Sequence, residues 1–221
     1  MKESELALTY MPYILFDITE PFDVKGIGYS IYLQSAESKS FNRFIQIDSD
    51  KTMFAIEYEI YFDYDIQHLY DLEHIWVFVG PDEKICGVEG SFHGLYLRCI
   101  LSGPDAIKDS THVHLFCQPG KHAFMADGNL FRMKPDWYTS CNAFAGKDGI
   151  LIPDMFCDIL SASEEVQDQV RSYIRKHYSF QPTLHFEYRP LDDGLIMSWE
   201  KLKMMIPERI KNELSRIRNN S

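Results

Sequence analysis

The chain has 221 residues, of which 45% are hydrophobic and 14% aromatic, enough for one large domain with a sizeable core. It carries 33 acidic and 22 basic residues and a formal net charge of -11, which disfavours nucleic acid and anionic membranes as partners. No run approaches the roughly 20 apolar residues of a membrane span, and no secretory signal pattern is visible. We therefore expect a cytoplasmic protein, with its oligomeric state left open.

The cysteines are odd in number, widely spaced and without a C-x-x-C pair. This usage is typical of buried thiols in a reducing compartment. The five are Cys86, Cys99, Cys117, Cys141 and Cys157.

The first half of the chain reads as β structure. Strands are predicted at residues 26–33 and 44–48, and residues 52–65 alternate between apolar and acidic side chains. Side chains on a strand point to opposite faces in turn. The apolar face is Phe54, Ile56, Tyr58, Ile60, Phe62 and Tyr64, and the acidic face is Glu57, Glu59, Asp63 and Asp65.

The next strand, residues 71–79, opens with a pattern of potential metal ligands. His68, Asp71 and Glu73 have the spacing H-x-x-D-x-E, and both carboxylates share a face with the apolar residues that follow. Carboxylates on an apolar face are costly unless a positive group meets them. A divalent cation, an Arg or Lys partner, or a solvated strand end would each meet this need.

A hairpin between these two strands would bring Asp63 or Asp65 close to Asp71 and Glu73. Carboxylates that crowd together repel, so a cation or raised pKa values must relieve them. The metal-ligand candidates are therefore His68, Asp71, Glu73, Asp63 and Asp65. More oxygen than nitrogen and no thiolate favour Ca, Mg or Mn over Zn.

Further strands are predicted at residues 84–89 and 112–117, followed by long loops over residues 127–149. From Ser161 the hydrophobic period changes from 2 to about 3.6, which predicts helices. The sequence therefore predicts a mainly β, α+β protein. We expect one domain over residues 1–221, with an antiparallel β-sandwich body at 1–160 and a helical C-terminal portion at 161–221 packed on it.

Three short motifs resemble those of a known group of proteins. Gln67-His68-Leu69-Tyr70-Asp71-Leu72-Glu73 resembles the heptapeptide Gly-His-Arg-His-Asp-Trp-Glu of the necrosis- and ethylene-inducing peptide-like proteins. It keeps the His, Asp and Glu but lacks the Gly, Arg, second His and Trp. A related group, the vacuolar protein sorting-associated proteins, has a similar acidic motif followed by S-x-H-G-like and G-S-H-A-like segments. This chain has Ser91-Phe92-His93-Gly94 and Gly120-Lys121-His122-Ala123 in the same order.

The resemblance covers residues 60–125 and implies an antiparallel β-sandwich with helices. It also implies a divalent cation held by His68, Asp71 and Glu73. The family's further upstream Asp has no counterpart at the family's spacing, so Asp63 and Asp65 substitute for it by type only. The cytolytic activity of the secreted toxin members is not carried over.

Two histidines are candidates for proton transfer. His93 precedes Gly94, which permits close approach of a substrate, and His122 lies at a predicted strand end. His74 falls on the face opposite Asp71 and Glu73, so it is interpreted as a hydrogen-bonded core histidine.

Three functions fit this pattern. The first is a cation-dependent binding protein for a polar ligand, such as a sugar or lipid head group. The second is a metal-dependent hydrolase whose cation acidifies a water, with His93 or His122 carrying the proton. The third is a structural cation site in a partner-binding protein.

Overall fold

The computed structural model describes residues 2–99 and 107–219. Within them, the α-helices are α1 (Glu3–Thr9), α2 (Glu164–Tyr178) and α3 (Trp199–Asn219). The strands are β1 (Tyr13–Asp17), β2 (Gly26–Tyr32), β3 (Ala36–Glu37), β4 (Phe44–Ile45), β5 (Phe54–Tyr64), β6 (His68–Val79), β7 (Ile85–Phe92), β8 (Leu95–Arg98), β9 (Ile107–Lys108), β10 (His112–Cys117), β11 (Phe124–Met125), β12 (Gly149–Ile150), β13 (Phe186–Tyr188) and β14 (Ile196–Ser198). Short 3-10 helices cover residues 128–133, 139–141, 154–156 and 193–195.

The strands form two main sheets, and the fold is α+β with mostly sheet. The larger sheet has the order β14-β2-β5-β6-β7-β8 with β12 beside β6, and the smaller has β11-β10-β1-β13 with β9 beside β10. The long neighbours β2, β5, β6 and β7 pair antiparallel, as the alternating sequence predicts. Three pairs at other positions, β1–β10, β12–β6 and β14–β2, are parallel. In each, the partners lie far apart in sequence, and parallel pairing requires such long connections.

The hydrophobic core lies between the two sheets. The predicted apolar face of β5 is buried there together with Ile14 and Phe16 of β1 and Val113 and Leu115 of β10. The alternation read from the sequence therefore identifies the inner face of the larger sheet correctly.

The acidic face of β5 is also buried, which the sequence does not reveal. Glu57 and Glu59 are both 0% exposed because residues 33–51 fold back over this side of the sheet. Glu57 accepts hydrogen bonds from the Tyr32 hydroxyl (2.6 Å), the Ser38 hydroxyl (2.5 Å) and the Trp76 indole (3.0 Å). Burial, reinforced by the neighbouring Glu57, raises the pKa of Glu59 well above its usual range.

The C-terminal portion is helical but also completes both sheets. Ser163 caps α2, and its side chain accepts a hydrogen bond from Val166 N. α3 runs through Pro207 without ending. β13 adds to the smaller sheet and β14 to the larger, so residues 161–221 supply strands as well as helices.

All five cysteines are free, but only three are buried. Cys86 and Cys157 are exposed, so the expectation of buried thiols is wrong for these two. Across the described ranges, no helix is long and apolar enough to cross a membrane.

Close packing of α3 on β2 gives a first testable prediction. A β-carbon at Gly28 would lie 2.7 Å from Glu59 Oε2 and 3.0 Å from Leu202 Cδ2. We expect Gly28→Ala to lower the free energy of unfolding by about 1–3 kcal/mol, because both neighbours must move. Urea denaturation measures this change. The matched control is Gly87→Ala, whose nearest contact, Phe78 Cβ, is 3.3 Å away, and it should cost less. Equal losses in the two variants would contradict the packing of α3 on this strand.

Candidate functional site: a buried acid–histidine cluster

Asp71 and Glu73 lie on the core face at the start of β6. Their Cα partners on β5 are Phe62 and Ile60, both of the buried apolar face. The carboxylates therefore point between the sheets, as period-2 alternation predicts.

The turn after β10, residues 118–123, brings a second set of charges to the same place. Ile66 N donates to Gly120 O at 2.7 Å, which ties this turn to the end of β5. Gly120 has φ 66, and a β-carbon there would lie 2.8 Å from Ile66, so the position requires glycine. The turn presents Lys121 and His122 to the carboxylates of the other sheet.

His122 is fully buried between two carboxylates. Its Nδ1 lies 2.7 Å from Asp71 Oδ2, and its Nε2 lies 3.5 Å from Glu20 Oε1. The ring stacks on Phe62 at 3.8 Å and 7°. Burial alone would lower the pKa of His122, but the two carboxylates raise it to about 10. His122 is therefore a cation at neutral pH.

Glu73, unlike His122, is held in its neutral form. Burial and the charge of Asp71 raise its pKa to about 8, although the hydrogen bond from the Ser91 hydroxyl partly offsets them. Ser91 is itself fixed by the backbone, since its Oγ accepts from His74 N at 2.7 Å. Glu73 is therefore mostly neutral near pH 7.

Lys121 and Asp65 form a second buried ion pair. Lys121 Nζ lies 2.5 Å from Asp65 Oδ2, and the two side chains are only 13% and 2% exposed. Burial would raise the pKa of Asp65, but His68 and Lys121 hold it below its usual value. Burial would lower the pKa of Lys121, and Asp65 raises it above its usual value. Both groups are therefore charged.

His68 and His93 lie at the rim of this arrangement. His68 Nδ1 is 2.7 Å from Tyr70 O, and its Nε2 is 3.8 Å from Asp65 Oδ2. His93 is exposed, and its Nε2 is 2.8 Å from Gln118 Oε1. Partial burial lowers the pKa of His93, so this ring is neutral. We use the name acid–histidine cluster for the buried Glu20, Asp65, Asp71 and His122, the half-buried Glu73 and Lys121, and the rim residues His68 and His93.

Three residues of this region have left-handed backbone without being glycine. The φ angles are 78° at Tyr70, 51° at His93 and 53° at His122. Such conformations cost of order 1–3 kcal/mol and concentrate at functional sites, where the surroundings enforce them.

Asp63 is not part of the acid–histidine cluster. It lies on the opposite face of β5 from Phe62, and Arg209 of α3 holds it with bonds of 2.9 and 2.6 Å. Tyr61 donates a third bond at 3.0 Å. Of the two acids expected near Asp71 and Glu73, the structure thus brings only Asp65, which follows the strand and turns inward.

The expected divalent cation does not fit the donors as they are arranged. In the described residues, no three His, Cys, Asp or Glu side chains are positioned to hold a metal ion. Asp65 is bound by Lys121, Asp71 by His122, and Glu73 by Ser91. The positive charge that the sequence requires beside these carboxylates is present as an ammonium and an imidazolium.

Sequence reasoning missed Glu20, Gln118, and the roles of Ser91 and Lys121. Glu20 enters from the segment before β2, where its Oε2 accepts from Gly120 N at 2.6 Å. Nothing in the local pattern of Glu20-Pro21 points to a buried charge. Lys121 and Ser91 do lie inside the two short motifs, so these motifs were the available signal.

The charge states limit what the cluster can do chemically. A general base needs a free lone pair, and His122 carries protons on both ring nitrogens at neutral pH. His122 thus positions Asp71 and Glu20 and is unsuited to accept a proton. His93 is neutral and accessible, which leaves it able to bind a ligand.

The fold and the cluster define an α+β sandwich protein with a charged site buried at one end. No family model matches this chain, and no curated protein matches it. Solved structures that match part of it belong to necrosis- and ethylene-inducing proteins. One is Necrosis and Ethylene inducing Protein 2 from the causal agent of cocoa's Witches Broom disease. It is 22% identical in sequence, the match covers 56% of this chain and 68% of that chain, and the TM-score is 0.36.

Two further structures are of NLPPya. One, in complex with glucosamine, has 15% identity over 54% of this chain and 64% of that chain, with a TM-score of 0.35. The other, in complex with mannosamine, has 16% identity over the same shares and a TM-score of 0.33. This chain thus spans a little under two thirds of those two proteins. The sequence resemblance names the same group, and the link to vacuolar sorting-associated proteins stays a prediction.

The raised pKa values predict a loss of stability at alkaline pH. A histidine whose pKa rises from 6.5 to about 10 on folding stabilises the protein fully below pH 6.5 and progressively less up to about pH 10. Glu73 acts in the same direction, because its ionisation between pH 4.5 and about 8 is disfavoured in the folded state. We expect His122→Asn to reduce the downward slope of unfolding free energy with pH by up to about 1.4 kcal/mol per pH unit. Asn tolerates the left-handed backbone of this position.

Urea unfolding at half-unit steps from pH 6.5 to 10 measures that slope. The exposed His185 serves as the control, since His185→Asn should leave the slope as in the unmutated protein. An unchanged slope in His122→Asn would show that this ring is not held as a cation.

Proposed function

We propose that this protein binds a polar, hydroxyl-bearing ligand, a sugar or a lipid head group, at the acid–histidine cluster. The observation that carries the proposal is an excess of acid groups in a partly open site. Four carboxyl groups, from Glu20, Asp65, Asp71 and Glu73, face two cationic groups. Buried charge without a partner is costly, so the site favours a neutral or cationic ligand over an anionic one.

The partly exposed side chains of the cluster supply the contacts such a ligand needs. Glu73, His68 and Lys121 are half-buried and His93 is exposed, so carboxyl, imidazole and ammonium groups are each partly accessible to solvent. A sugar presents both hydroxyl donors and hydroxyl acceptors, and these groups offer partners for both. His122 is held as a cation and cannot act as a base at neutral pH, which removes one of the two histidines that a hydrolase would use.

Glu73 would make the affinity depend on pH. Its pKa of about 8 leaves it mostly protonated at pH 7. A cationic group that binds beside it would favour the carboxylate form and release a proton. A ligand with an ammonium group should therefore bind more tightly as the pH rises from 6 to 8.

Glucosamine is a suitable probe, because its ammonium group can be removed chemically without changing the ring. We expect glucosamine to bind more tightly than N-acetylglucosamine. Glu73→Gln should lower glucosamine affinity about tenfold at pH 8, the factor that about 1.4 kcal/mol supplies, and remove the pH dependence. Titration followed by amide NMR measures both affinities and locates the shifted residues.

The control variant is His74→Gln, on the opposite face of the same strand. Burial, with a contribution from Arg43, lowers the pKa of His74 to about 3, so the ring is already neutral there. Glucosamine affinity should be unchanged in this variant. Failure of all of these probes to shift residues of the acid–histidine cluster would refute the proposal, and so would equal losses in the two variants.

A further inference from the structure

We propose that the ammonium of Lys121 is the resident cation of the acid–histidine cluster, so that the site works without a divalent metal. The inference deepens the proposed function by assigning the charge that its ligand meets. It disagrees with the divalent cation that the sequence resemblance implies, because the expected metal ligands already bind other groups of the protein.

Lys121 is placed in the cluster by a rigid turn. Its backbone N donates to Gln118 O at 3.2 Å, and the next residue, His122, donates from its backbone N to the same oxygen at 2.9 Å. The neighbouring Gly120 is bound to Glu20 through its N–H at 2.6 Å. With the backbone fixed on both sides, the side chain of Lys121 is directed at Asp65.

Asp65 is the carboxylate that contacts Lys121 directly. The ammonium lies 2.5 Å from Asp65, and the charge of Asp71 also stabilises its protonated form. An ammonium has three donors, and Asp65 uses one of them. The Lys121 side chain is 13% exposed, and its two remaining donors are the groups we assign to a ligand hydroxyl.

A divalent cation would have to displace these bonds. Calcium needs six to eight oxygen ligands at about 2.3–2.6 Å, and magnesium requires a nearly ideal octahedron. Asp65 already binds Lys121 and also accepts from Gln67 N at 2.6 Å. His68 directs Nδ1 at the backbone oxygen of Tyr70. Entry of a metal beside Lys121 would also place two cations side by side, which their repulsion opposes.

Removing the ammonium should therefore create the metal site that the sequence motif suggests. Lys121→Met keeps an unbranched side chain, one atom shorter, and deletes its charge, leaving the carboxyl groups of the cluster with one positive partner fewer. We expect the unmutated protein to melt at the same temperature in EDTA and in CaCl2, MgCl2 or MnCl2. Lys121→Met should melt lower in EDTA and regain about 5–10 °C with one of these metals at a hundred times its Kd.

Two variants control this comparison. Lys134→Met removes a partly exposed lysine beside Phe92, near the rim, and should gain no metal response. Lys121→Met combined with Asp71→Asn should lose the gain again, because a carboxylate ligand is missing. A gain that persists in the double variant would locate the metal elsewhere and overturn the inference.

Two results would overturn the inference directly. One is a metal-dependent rise in melting temperature of the unmutated protein as large as that of Lys121→Met. The other is a folded Lys121→Met protein that ignores all three metals. Should that variant not fold, elemental analysis of unmutated protein purified without chelator decides the matter, since stoichiometric metal refutes the inference and its absence supports it.

Glucosamine titration in EDTA separates this inference from the proposed function. Equal affinity in EDTA and in calcium supports both. Binding that requires calcium refutes the role of Lys121 and keeps the ligand site. No binding in either buffer refutes the ligand site, while the melting comparison still tests the cation.

Discussion

The ion pair between His122 and Asp71 is the interaction on which the arrangement of this end of the sandwich depends. The two residues belong to different sheets, and both are buried where an unpaired charge would cost several kcal/mol. Neither sheet can shift without exposing a lone charge to the apolar core. Phe62, stacked on the imidazole, and Glu20, on its far side, fix the ring from two further directions.

The two faces of the larger sheet solve the same problem in different ways. On the inner face, carboxylates are matched with a lysine and a histidine that remain charged. On the outer face, Glu57 is surrounded by neutral donors, Glu59 is kept protonated, and His74 is kept neutral beside the Ser40 hydroxyl at 3.0 Å.

Much of this could be predicted from the sequence. Alternation along β5 and β6 gives their inner faces, and the H-x-x-D-x-E spacing identifies Asp71 and Glu73 as carboxylates on an apolar face. Those predictions succeed because side-chain direction on a strand depends only on residue spacing. The parallel pairs and the burial of Glu57 were not predictable, because both depend on segments far away in the chain.

By itself, the sequence determined that Asp71 and Glu73 would share the apolar face of β6. It could not choose between a metal ion, a basic side chain and a solvated strand end as the way to accommodate them. Tertiary structure places basic side chains there, by packing the turn that carries Lys121 and His122 against the start of β6, and it turns Asp63 away to Arg209. The physical reason is the separation along the sequence over which each effect acts. Strand periodicity depends on residues a few positions apart, whereas the partner of a buried charge depends on which distant segment packs against it.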